Sequence, residues 1–236
     1  MSRIINFASG KGGTGKTTVT ANVAVAASQM GKNICVLDAD VPMANLSLVY
    51  GFDDLDITLH EILAGENDLD EAIYSGPGGV KAVPSGMSLN GVRKANLQNL
   101  KSVVEELSEE FEIILIDCPS GLGEEAVSAL QIADELVLVT MPEITCLSDA
   151  LKTKIVSERF GADVLGVVIS RAMEEDLDVP EEEVKEMLEL PVLGTIPEDP
   201  EIRESTTYGE PVVLRKPDSP SGKALIELAS NLFEEK

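Results

Sequence analysis

Ile4-Ile5-Asn6-Phe7-Ala8-Ser9-Gly10-Lys11-Gly12-Gly13-Thr14-Gly15-Lys16-Thr17-Thr18 is the stretch that decides the fold. It holds the pattern G-x-x-x-x-G-K-T directly after an apolar run. In a phosphate loop of this kind the glycines let backbone N–H groups approach phosphate oxygens. The lysine pairs with the β- and γ-phosphates, and the following hydroxyl ligates Mg²⁺. Gly10, Lys11, Gly12, Gly13, Thr14, Gly15, Lys16, Thr17 and Thr18 are therefore the expected nucleotide contacts, with Thr17 a metal ligand. The flanks agree with this reading. A strand should come before the loop, and a helix should follow with the positive end of its dipole aimed at the anion. Val19–Ala27 is a mostly apolar helical segment, and Gly31 is a natural residue to end it.

Composition sets the outer limits. The chain has 236 residues, enough for a sizeable core, and α/β folds of this size commonly form one domain. No run approaches the roughly 18 uninterrupted apolar residues of a membrane-spanning helix, and the N-terminus lacks a signal-peptide pattern. Cys35, Cys118 and Cys146 are odd in number and far apart, giving neither a disulfide framework nor a C-x-x-C metal pair. Cys35 and Cys118 adjoin expected buried strands and read as small core hydrophobes. The expected compartment is the cytoplasm.

Formal net charge is −24, from 42 acidic and 18 basic residues. Such a surface disfavours nucleic acid, whose binding depends on Lys and Arg neutralising phosphates. An anionic nucleotide must then be met by a local positive island. Strong acidity with few lysines suits a protein adapted to concentrated salt, where screening collapses self-repulsion, as in salt-loving archaea.

Strand-like apolar runs alternate with helical stretches: 3–8, 33–37, 80–83, 113–116, 136–140, 164–170 and 192–196. This alternation predicts a single α/β domain over residues 1–236, a largely parallel sheet flanked by helices on both faces. Thr58-Leu59-His60-Glu61 reads as a capping box with Leu59, Ile62 and Leu63 on one face. His60 itself is expected to be an ordinary surface or half-buried residue on that helix. Pro180 followed by three glutamates opens another helix. The acidic run 53–56 lacks the glycine and closing glutamate of a calcium loop.

Phosphoryl transfer needs a metal-holding carboxylate and a group that orients the attacking water. Ile113–Ile116 followed by Asp117 is an apolar strand ending in an acid, placed at the carboxyl edge of the sheet where such folds bind ligands. A second pair, Asp38 and Asp40, follows the second strand. Alternation would send both to the same side if the strand continued.

Lys11, inside the loop, adds a second lysine five positions before Lys16. This string resembles the deviant phosphate loop of the MinD/ParA ATPases, a group that also holds the nitrogenase iron protein and Mrp-type scaffolds. Within it the chain is most similar to archaeal MinD-type members. Cys118-Pro119-Ser120-Gly121 after Asp117 resembles the family's second switch segment. The resemblance runs from Ile4 to about Pro211. It implies ATP/ADP and Mg²⁺ as ligands, and an ATP-bound homodimer in which Lys11 reaches the partner's nucleotide. It also implies Asp38 supporting Mg²⁺ through water, Asp40 activating the attacking water, and Asn45 near the nucleotide. Lys11, Lys16 and Asp40 are thus the expected catalytic set, with Thr17, Asp38 and Asp117 around the metal. For adenine, Arg171 and the loop Pro197-Glu198-Asp199 match family positions. Ser170 stands where the family carries Asn and cannot supply an amide's paired donor and acceptor.

The implied role is a positioning switch for cell division or cellular organisation, acting with an unidentified protein partner. A DNA-partitioning ATPase is the first alternative, disfavoured by the charge. A metal or iron–sulfur carrier is the second, disfavoured by the cysteine spacing. Gly222–Lys236 has a helical apolar period at 225, 228, 229 and 232 but is acidic. Interfacial helices on anionic lipid want a basic polar face, so packing on the core is expected and peripheral membrane contact is weakly supported. If the acidity is a salt adaptation, the melting temperature should climb across a KCl series. A flat or falling series would remove that reading.

Overall fold

The computed structural model describes residues 2–173 and 178–234. Its strands are β1 Arg3–Ala8, β2 Ile34–Asp38, β3 Tyr74–Ser75, β4 Lys81–Val83, β5 Ile113–Asp117, β6 Glu135–Thr140, β7 Asp163–Ala172 and β8 Val192–Pro197. The helices on the first half are α1 Lys16–Gln29, α2 Leu46–Tyr50, α3 Leu59–Leu63, α4 Leu89–Lys94 and α5 Leu100–Glu110. Those on the second half are α6 Glu124–Leu130, α7 Ile144–Arg159, α8 Glu181–Leu188, α9 Pro200–Thr207, α10 Val212–Arg215 and α11 Pro220–Phe233.

All eight strands lie in one sheet of order β3-β4-β2-β5-β1-β6-β7-β8. Every recorded pairing is parallel except β3 with β4. The fold class read from the sequence is what the structure shows, and all seven expected strands are present within a residue or two. Tyr74–Ser75 went unpredicted because two residues carry no period. An antiparallel partner on the sheet edge defines them.

Burial on both faces explains the strand composition. Ile5 and Phe7 of β1, with Val36 and Leu115, pack against α1, α2, α10 and α11. Cys35, Leu37, Ile114 and Ile116 pack against α3, α5, α7 and α8. Cys35 of β2 and Cys118, just after β5, are core groups, as expected, and burial pushes both thiols above the ordinary range. Helix α1 shows almost no apolar stripe because it is buried nearly all round, from Val19 to Ala27. It ends at Gly31 with φ of 80°. The Thr58–Glu61 capping box forms as expected.

The C-terminal helix packs on the core. Leu225, Leu228, Ala229 and Phe233 are buried, the Arg3 guanidinium donates to the Leu232 carbonyl, and it also lies over the Phe233 ring. Glu235 and Lys236 lie outside the described residues. Among the described residues no helix is long and apolar enough to cross a membrane.

β1 lies between β5 and β6, although β5 is four strands later in sequence. The carboxyl ends of these strands form the crevice in which such sheets bind ligands.

Candidate functional site

The loop from Ser9 to Gly15 turns the chain from β1 into α1, and its glycines have separate reasons. Gly13 and Gly15 take φ of 84° and 80°, where a side chain would be strained. At Gly10 a Cβ would collide with the backbone of Asp149 in α7. Gly15 is the N-cap of α1 and offers no side-chain acceptor, and the first turn holds no acid. The first N–H groups of the helix thus have no capping side chain, which suits an incoming anion. Lateral bonds fix the loop: Cys118 N–H donates to Phe7 O, Gly121 N–H to Ser9 O, and the Ser9 hydroxyl to Lys11 O.

Lys16 is buried at the base of the loop, its ammonium 2.5 Å from Asp117 Oδ1. Burial works against its charge, but the Asp117 carboxylate outweighs that, and the ammonium stays protonated more firmly than usual. Asp117 ends β5, and its Oδ2 is buried with no hydrogen-bond partner. The Thr14 hydroxyl is orphaned in the same way. Thr17 is half-buried in the first turn of α1.

A cleft of about 490 Å³ opens over the loop, lined by Gly12 to Thr18, Asp40, Met43, Asn45, Leu48, Ser120 and Arg171 among others. A second cavity of about 270 Å³ adjoins it between Gly15, Thr18, Val19, Ser170, Arg171, Ile196, Glu198, Asp199 and Leu225. Most residues expected at the nucleotide line one or both. Lys11 is exposed and outside both linings, with its ammonium 4.0 Å from Cys146 Sγ in α7.

Asp38 and Asp40 part company. The strand ends at Asp38, so alternation stops there. Asp38 is fully buried, its Oδ1 accepting from Asp40 N–H and its Oδ2 from Leu46 N–H. It sits beside Asp117 in the sheet register. Burial and then the Asp117 charge push its carboxyl up to about 7. Asp40 alone of the pair reaches the cleft. Burial lifts its carboxyl as well, Lys16 opposing and Asp117 reinforcing.

The adenine-side expectations are redistributed. The Ser170 hydroxyl is buried between Thr14 O and Thr140 O, with its single proton shared by the two carbonyls, so it braces the phosphate loop and is not free to read a base. Arg171, at φ of 56°, donates to Glu198 at 2.7 Å and to Gly13 O at 3.3 Å, bridging the mouths of both cavities. Asp199 borders the pocket, yet both its carboxylate oxygens are taken: Oδ1 caps α9 at Glu201 N–H, and Oδ2 accepts from Ser221 N–H and hydroxyl in α11. The Asp-Pro pair opening α9 carried a capping signal that would have revealed this role. His60, expected at the surface or half-buried, is wholly buried, with Nε2 3.0 Å from Val41 O.

The family described as ParA, NUBPL iron-transfer P-loop NTPase, matches residues 1–233. The chain belongs to the ParA family of P-loop NTPases. The septum site-determining protein MinD of Pyrococcus horikoshii, solved in complex with Mg-ADP, is 44% identical, with a TM-score of 0.96 over 99% of this chain and 97% of that one. The cell division ATPase MinD of Pyrococcus furiosus is 46% identical, with a TM-score of 0.95 and 98% of each chain covered. An uncharacterized ATP-binding protein of Methanocaldococcus jannaschii is 43% identical over 233 residues, which are 99% of this chain and 88% of that protein. The described residues thus share the fold of both Pyrococcus proteins.

Asp38 gives the nucleotide-free, metal-free protein a pH dependence. Its folded carboxyl titrates near 7 against about 3.9 in an unfolded chain. The folded form therefore holds its proton more tightly. Stability from this group is complete below about pH 4 and is lost as pH rises through 7. Denaturant unfolding at fixed salt should show falling stability over that window, with a shallower slope in Asp38→Ala.

Proposed function

We propose that this chain is a Mg²⁺-dependent ATPase working as an ATP-gated dimerisation switch of the MinD type, one that helps position a cellular structure through a protein partner. Hydrolysis of ATP to ADP and phosphate is the activity of the family, and a relative 44% identical holds Mg-ADP. The observation that carries the switch is the division of labour between two lysines. Lys16 is buried against Asp117 inside the chain's own cleft, whereas Lys11 is exposed and outside it.

In this reading the triphosphate lies along residues 10–18, with the N–H groups opening α1 and the Lys16 ammonium taking its charge. The ion's role is to neutralise charge on the β- and γ-oxygens. The donor set fits it: hard oxygens at Thr17 and Asp117, whose Oδ2 has no other partner, with Asp38 beside them. Asp40 would accept a proton from the attacking water, a role supported by its half-buried position in the cleft and its raised carboxyl. The base fits the apolar walls at Val19, Ile196 and Leu225, with Arg171 over it. With Ser170 engaged, selection of adenine falls to Arg171 and the backbone of 197–199.

A DNA-partitioning role finds no support in a chain of net charge −24. An iron-transfer role is favoured by the family description, but all three cysteines are buried. Cys35 pairs in register with Ile114, four residues before Cys118, about 13 Å along the strands at ~3.3 Å per residue.

Lys16→Ala should lose ATP binding by calorimetry. Size-exclusion with light scattering then separates the other two residues. Lys11→Ala should bind ATP, remain monomeric and hydrolyse little. Asp40→Ala should bind ATP, dimerise and persist as a dimer with turnover lost. An ATP-dependent dimer with full turnover in Lys11→Ala would overturn the role of Lys11 at the partner's nucleotide.

A further inference from the structure

Asp40 sits on a short segment between β2 and α2, and that segment is held from behind by two side chains outside the nucleotide site. At one end the Ser85 hydroxyl donates to the Asp38 carbonyl at 2.8 Å. At the other, His60 Nε2 lies 3.0 Å from the Val41 carbonyl. A carbonyl can only accept, so Nε2 carries the proton. Between the two pins, Asp40 N–H binds Asp38 Oδ1, and just beyond them Met43 N–H closes the turn onto Asp40.

The pins stand on fixed supports. His60 lies in the first turn of α3, whose start is fixed by the Thr58–Glu61 box and by Leu59 N–H donating to Pro84 O. Pro84 precedes Ser85, so one loop after β4 braces both ends. The imidazole is wholly buried, and its Nδ1 has no hydrogen-bond partner. A Cβ at Gly91 would collide with that nitrogen, and one at Gly86 would be 3.0 Å from it. The ring is thus gripped by two bare backbones. An unsatisfied buried nitrogen is a cost to folding, and a leucine would fill the site without it. What histidine adds there is the Nε2–H donor on the Val41 carbonyl.

We propose that His60 is a positioning residue for Asp40, holding the carboxylate where it meets the attacking water. The proposal rests on the ATPase reading of the cleft. It has a readout of its own, hydrogen–deuterium exchange of residues 39–45 in the nucleotide-free protein. His60→Leu should speed that exchange and lower kcat roughly tenfold, because small misplacement of a reacting group is expensive. The KM for ATP and the affinity for ADP should stay within about twofold. His60→Gln, whose amide nitrogen can reach the place of Nε2, should restore both exchange and kcat. Ser85→Ala, a minimal change at the other pin, should show the same pattern more mildly and decides the matter if His60→Leu does not fold. Unchanged exchange in His60→Leu, failure of His60→Gln to recover, or parallel loss of kcat and nucleotide affinity would overturn the proposal. If the wild-type chain does not hydrolyse ATP, the ATPase reading falls and the positioning role falls with it, while the exchange data still report whether His60 pins the segment.

Discussion

The buried pair of Lys16 and Asp117 is the constraint on which the site depends. It places the motif lysine against the acid that ends the central strand β5, deep at the carboxyl edge of the sheet. Two charges taken from water tolerate each other there only while both are present, and removing one strands the other at about 3–5 kcal/mol. Asp38 stands next to Asp117 and adds a second buried carboxyl, whose ionisation burial and the Asp117 charge both resist. The loop glycines, the helix N-terminus and Lys16 then make a positive island in a chain whose remaining surface is strongly acidic.

Around that island, polar side chains that face the pocket mostly brace it. Ser170 ties β7 to the phosphate loop, and Asp199 ties the loop after β8 to α11. Arg171 spans from Gly13 to Glu198 in a backbone conformation that non-glycine residues rarely adopt. The second cavity and the C-terminal helix therefore share one carboxylate, that of Asp199. A change at α11 has a hydrogen-bonded route, through Ser221, to Asp199 at the edge of the second cavity.

Periodic elements were legible in the sequence because their signals are local. The seven longer strands, the cap at Thr58 and the phosphate loop each depend on residues within one turn or one strand of each other. Asp117 was legible for the same reason. The reading of Asp38 and Asp40 as one facing pair failed because it assumed a strand that ends at Asp38. Burial of His60 escaped notice because a polar residue on a five-residue helix gives no period, and its burial comes from Gly86 and Gly91, far along the chain. Ser170 looked like a weakened base contact because its partners, Thr14 and Thr140, are distant in sequence.

The sequence by itself determined the sheet class, the phosphate loop, the acid opposite it and the charge balance. All follow from spacing and composition, which a chain carries before it folds. Only the tertiary structure decided which acids reach the cleft, that Lys11 points outside it, and that Asp199, Ser170 and His60 serve as braces. The reason is physical. A side chain's task is set by which hydrogen-bonding groups meet it in the folded state, and for these residues nearly all of those groups come from other strands and helices.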